Sequence, residues 1–138
     1  VTLRRINPET LVYPSGYSQV VVAEGEGRMV FVAGQVSVDA EGALVAPGDP
    51  VGQAEQAYRN LRMALHGAGA TSDDVVKLTT FVVGLNPELR AAIGAARTTV
   101  FGESRPASTL LGVVALADPA YLVEVEATAV VFHTELDL

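Results

Sequence analysis

Met29-Val30-Phe31-Val32-Ala33 is apolar at every position. A strand with one face in water alternates apolar and polar residues, so an unbroken apolar run predicts a strand covered on both faces. Upstream, Ser18–Glu24 is a second β run centred on Val20-Val21-Val22, and Gly25-Glu26-Gly27 separates the two. Two β runs about a short, Gly-bearing turn predict a hairpin of Ser18–Glu24 with Arg28–Val38. Downstream, Asp49-Pro50 places a capping carboxylate before a proline at the first helical position. Ala54, Ala57, Tyr58, Leu61, Ala64, Leu65 and Ala68 then recur at helical spacing, with Gln53, Gln56, Arg59, Asn60, Arg62 and His66 mostly on other faces. Gly69 is the predicted stop.

The pattern then repeats. Ser72–Val83 reads as a strand, rich in Val, Thr and Phe. Asn86-Pro87 opens a second helix with the stripe Leu89, Ala92, Ile93, Ala96 and Val100, ending at Gly102. Ser108–Val114 and Tyr121–Phe132 are the last strands, and Thr2–Ile6 is a candidate first one. The order is β-β-α-β-α-β-β behind that extra strand. Two helices cover one face of a mixed sheet, so a second copy of the chain is the simplest cover for the other.

Composition points the same way. The chain has 138 residues, a length expected to form one domain spanning residues 1–138. Charged residues are 18% of it, against about 25% for an average globular chain, and mean hydropathy is +0.33. So few solvating groups predict a homo-oligomer. Nine Lys and Arg against 16 Asp and Glu give a net charge of −7, the wrong sign for a nucleic-acid binder. There is no Cys, which removes disulfides, thiolate nucleophiles and cysteine metal sites. Apolar runs are far shorter than the roughly 20 residues of a membrane span, and no apolar leader segment follows Val1–Ile6. A cytoplasmic protein without membrane or nucleic-acid partners is expected.

The polar residues with most to say lie in Leu122-Val123-Glu124-Val125-Glu126-Ala127-Thr128. Glu124 and Glu126 share one strand face, and Val123, Val125 and Ala127 the other. If buried, the pair would repel and one carboxyl would be held protonated towards neutrality, which suits general acid–base work. Two solvated surface glutamates are the competing reading. Tyr17 sits in a polar loop before the first strong strand. Arg105, Ser108 and Thr109 flank Pro106-Ala107, and offer a guanidinium and two hydroxyls. His66 and His133 have no partner cluster, so no metal is expected. Lys77, the single lysine, lies mid-strand and reads as structural. No nucleophile elbow, P-loop or dinucleotide fingerprint is present.

Six segments in register carry a resemblance. They are Gly16-Tyr17-Ser18-Gln19, Val32-Ala33-Gly34-Gln35-Val36, Gln53–Leu61, Asp74–Phe81, Arg105-Pro106-Ala107-Ser108-Thr109 and Val123-Glu124-Val125-Glu126-Ala127. Together they resemble the RidA/YjgF family of reactive intermediate deaminases over essentially the whole chain. The resemblance implies a chorismate-mutase-like α+β fold, with two helices on one face of a mixed sheet. It implies a homotrimeric barrel with clefts between adjacent subunits. It also implies cofactor-free hydrolysis of imines or enamines to a 2-oxo acid and ammonia. By that match Glu124 orients or activates water, Tyr17 closes the cleft, the Gly34 backbone lines it, and Glu126 tunes Glu124.

Two positions depart from the pattern. The deaminase subgroup reads Pro-Ala-Arg, and its arginine pairs with the substrate carboxylate; here Pro106-Ala107 is followed by Ser108. The asparagine expected in the second helix is replaced by Ala91-Ala92-Ile93-Gly94. Arg105, three residues before Ser108, is the candidate substitute, restrained by Pro106. Ser108, Thr109 and Arg105 are therefore the expected substrate contacts. The expectation is a hydrolase for a small imine, enamine or related reactive metabolite. The alternative is a non-catalytic small-molecule-binding trimer, and ribonuclease activity is the weakest reading at this net charge.

Overall fold

The structure is a computed structural model that describes residues 2–132, so His133 lies outside the described residues. Strands β1 (Thr2–Ile6), β2 (Val20–Glu24) and β3 (Gly27–Val36) precede helix α1 (Pro50–Gly67). Strand β4 (Val75–Val83), helix α2 (Pro87–Phe101), β5 (Ala107–Val113) and β6 (Val123–Phe132) follow. The predicted order is present, including the first strand at Thr2–Ile6. The four longer strands form a mixed sheet in the order β3-β6-β4-β5, with β5 parallel to β4 and the other pairs antiparallel. Both helices pack on one face of it, giving the expected α+β fold.

Local chemistry explains the helices. The Asp49 carboxylate accepts from the Gly52 amide at 3.0 Å, and Pro50 occupies the first turn, where no amide partner is lost. At the other end Gly69 takes φ +74°, the Gly69 amide donates to His66 and the Ala70 amide to Leu65. Asn86 caps α2 through the Leu89 amide at 2.8 Å. Ala54, Ala57, Tyr58, Leu61 and Leu65 of α1 and Ile93, Ala96 and Val100 of α2 are buried against Leu78, Val82, Val123, Val125, Ala127 and Ala129.

The predicted hairpin does not form. β2 pairs with β1, braced by an Arg4–Glu24 ion pair of 3.0 Å, whereas β3 pairs with β6. β3 starts hard against β6: a Cβ at Gly27 would come within 2.7 Å of the Val131 carbonyl oxygen. The turn residues mark where the chain bends, but the partner of β3 comes from the far end of the sequence. The β1–β2 ribbon instead hangs from β5. The Ser18 amide donates to the Pro106 carbonyl at 3.1 Å, and the Ser18 hydroxyl to the Arg105 carbonyl at 2.6 Å.

Two smaller corrections concern Ser72–Asp74 and Gln53. The first is a 3-10 turn rather than strand, because Asp74 accepts from the Thr71 amide at 2.8 Å and holds the backbone curled. Gln53, read as polar surface, is fully buried. Its amide group donates to the Ala46 and Ala120 carbonyls and accepts from the Leu122 amide, joining α1 to the start of β6.

The doubly apolar strand is covered on one side only within one chain. Val30 and Val32 face α1, while Met29 and Phe31 on the opposite face are 62% and 74% exposed.

Candidate functional site

Residues predicted to act together lie on opposite faces of one sheet. Leu78, Thr80 and Val82 of β4 are buried beneath the helices. Ser108 and Leu110 pair with Leu78 and Thr80, so they face the helices too. Glu124 pairs with Val36 and Phe81, and Glu126 with Thr79, on the open face. Val123, Val125 and Ala127 alternate with them and are buried, as the period of two predicts.

The open-face half of the site is built on a β-bulge. Val32 opposes Ala127 and Gln35 opposes Val125, so β3 carries one extra residue at Ala33-Gly34. The Glu124 side chain lies directly over Gly34, where a Cβ would sit 2.0 Å from Oε2 and 2.7 Å from Cδ. Glycine is the residue that leaves room for the carboxylate there. Glu124 is half-buried, and Glu126 is exposed. Gln53 holds the entry of β6 two residues before Glu124 through the Leu122 amide at 2.9 Å. Thr109 also lies on the open face, where the Lys77 ammonium donates to its hydroxyl at 2.6 Å. Ser108 and Thr109 therefore point to different sides of the sheet.

The helix-side half is a cavity of about 410 Å³ between β4, β5, α2 and the 15–17 loop. Tyr17 and Ser108 both line it. Sequence reading missed its other polar residues. Arg90 and Arg97 of α2 line it, with Gly94 between them. The hydroxyls of Tyr58 and Thr80 form a buried pair 2.9 Å apart in its wall. Burial raises the Tyr58 phenol above its usual range, against smaller opposing effects of Thr80 and Arg97. Burial likewise lowers the Arg97 guanidinium, partly offset by Tyr58, with Arg105 adding to the lowering. A guanidinium so displaced still carries its charge at neutral pH. The available signal was helical spacing: residues 90, 94 and 97 share a face of α2.

Arg105 lines a different cavity, of about 540 Å³, with Arg5, Asp73 and Glu103. Lys77 is exposed and His66 lies exposed on α1. Among the described residues, no group of three or more His, Cys, Asp or Glu is placed to hold a metal, and no helix is long and apolar enough to cross a membrane.

A two-helix, mixed-sheet chain with a glutamate over a strand bulge defines a class, and comparison with known proteins gives it a name. The profile of the Endoribonuclease L-PSP family matches residues 10–131. A RutC family protein of Pyrococcus abyssi is 35% identical over 113 residues, covering 82% of this chain and 84% of that protein. A mouse protein named 2-iminobutanoate/2-iminopropanoate deaminase is 34% identical over 114 residues, covering 83% and 80%. The solved structure of YyfB, a conserved Rid-family protein of unknown function from Yersinia pestis, superposes with a TM-score of 0.84 at 44% identity, covering 94% of this chain and 98% of that one. The chain belongs to the Rid (YjgF/RidA) family, as its six segments implied.

Proposed function

We propose that this protein is an imine- or enamine-hydrolysing enzyme whose site is completed between copies of the chain in a homotrimer. The observation that carries the reading is the division of the site. The Glu124 carboxylate is seated over Gly34 on an open sheet face that further along carries exposed Met29 and Phe31, and a cavity lined by Tyr17 and Ser108 opens on the other face. A neighbouring copy that covers the apolar open face brings its own cavity to Glu124. Relatives from mouse, rat and goat named 2-iminobutanoate/2-iminopropanoate deaminase support the reaction class.

The chemistry asks little of the protein. Water adds to the electrophilic C=N carbon, and Glu124 takes the proton the water loses. Glu124 returns that proton to nitrogen to give the carbinolamine, whose C–N bond then breaks as its hydroxyl proton passes to nitrogen, releasing ammonia and leaving a C=O bond. An enamine enters the same steps once a proton from water has added to its β-carbon to give the imine. The Gly34 backbone shapes the floor beneath the carboxylate, Tyr17 closes the cavity, and Glu126 sets the field on Glu124 from the same strand face. Holding water and imine together supplies most of the acceleration. No cofactor enters these steps.

The test is ammonia release from freshly generated 2-iminobutanoate, and separately from a neutral enamine. Turnover of at least one class, lowered about 100-fold or more by Glu124→Gln, is the expected result. Ligand-induced thermal stabilisation without turnover of either class would instead identify a binding trimer.

A further inference from the structure

We propose that Arg97, with Arg90 at the mouth, is the anion-binding group of the helix-side cavity, so that the ligand taken there carries a carboxylate gripped from helix α2. The assignment rests on the reading of this cavity as the substrate half of the site. In a chain of net charge −7, two guanidinium groups line this space and no Asp or Glu does. The neighbouring cavity makes the contrast, because there Arg5 and Arg105 are matched by Asp73 and Glu103.

Arg97 is half-buried, and among the described residues it forms no ion pair. One of its Nη2 hydrogens goes to the Gly16 carbonyl, which ties the 15–17 loop to α2. Its remaining N–H groups have no side-chain or backbone acceptor among the described residues. A partly desolvated cation with no counter-charge from its own chain favours an incoming anion. Gly94, one turn from Arg97, adds to the picture: a Cβ there would meet nothing within 4 Å, so the helix is bare where the cavity needs room. Tyr17, Ser108 and the Tyr58–Thr80 hydroxyl pair supply neutral donors around the same space.

The geometry favours a planar carboxylate over phosphate. Arg97 has already committed one nitrogen to Gly16, leaving an edge suited to two oxygens. The cavity runs along α2 from Arg90 to Arg97, and the first-turn amide of Leu89, which could otherwise help cradle a tetrahedral anion, is already taken by the Asn86 side chain.

Calorimetry on the full chain with 2-oxobutanoate, its neutral amide and inorganic phosphate tests the assignment. Expected is binding of 2-oxobutanoate in preference to both others, weakened about tenfold or more by Arg97→Gln and less by Arg90→Gln. Arg105→Gln, which removes a neighbouring charge but no group lining the cavity, should weaken it far less than Arg97→Gln. Ser108→Arg, which places a guanidinium on the opposite wall, should restore affinity in the Arg97→Gln background. If Arg97→Gln does not fold, Arg97→Lys keeps the charge and the Gly16 contact, and the Arg90→Gln series on that background reads the same quantity. Equal affinity for the acid and its amide, tighter phosphate binding, or 2-oxobutanoate affinity unmoved in the folded Arg97→Gln and Arg90→Gln proteins would overturn it. Glu124→Gln separates the two readings: carboxylate binding that survives in it without turnover upholds this assignment, even where the hydrolase reading fails.

Discussion

Gly34 and Glu124 behave as one unit. The atoms a new Cβ at position 34 would meet belong to the end of the Glu124 side chain, 2.0 Å and 2.7 Å away. That end is flexible and faces an open surface, so it can swing aside at little structural cost. Gly34→Ala should therefore fold with stability within about 1 kcal/mol of wild type, yet lose imine hydrolysis about tenfold or more because the carboxylate is displaced. Denaturant titration alongside the ammonia assay checks both halves. Tyr58 gives a second residue-level prediction. Its phenol is raised in the fold by burial, so the folded state holds the proton more tightly than the unfolded chain does. Stability from this source is full below the ordinary tyrosine value, near pH 10, and is lost as pH rises through the folded value. A Tm series should fall above about pH 10, and the fall should be shallower in Tyr58→Phe. Glu124 was legible in the sequence because a strand has a period of two and its neighbours are all apolar. Arg97 was not, because sorting helix residues into an apolar stripe and a remainder hides a cation that lines a cavity between the two.

At the scale of elements, local signals and distant ones separated cleanly. Asp49-Pro50 and Asn86-Pro87 announced both helices, since a cap and its amide partner lie within one turn. Strand partners are chosen by contacts between remote segments, which is why β2 took β1 and β3 took β6 against the hairpin pattern. Gln53 fails for a related reason: nothing near it in the chain reveals that the Ala46, Ala120 and Leu122 backbone will converge on it. Its buried amide satisfies three backbone groups. Gln53→Ala should cost about 3 kcal/mol, combining unmet hydrogen bonds with a small cavity. Urea unfolding measures this. The same change frees the entry of β6, so hydrolysis should fall by more than the loss of folded protein accounts for.

For the whole molecule, low charge content, the run Met29–Ala33 and the exposed Met29 and Phe31 describe a sheet with one face left for a neighbour. The sequence already asked for that cover; a single chain answers with one pair of helices and leaves the other side apolar. The same arrangement divides the candidate site residues, with Glu124 on one face and Tyr17, Ser108 and Arg97 on the other. Subunit mixing tests this directly. Glu124→Gln lacks the proton acceptor, and Ser108→Phe fills the cavity, so each alone should be inactive. Unfolded together in equal amounts and refolded, they should regain about a quarter of wild-type activity, because random assembly joins an intact cavity to an intact Glu124 in about one cleft in four. A refolded mixture as inactive as its parents, while both variants assemble normally, would contradict a site shared between copies.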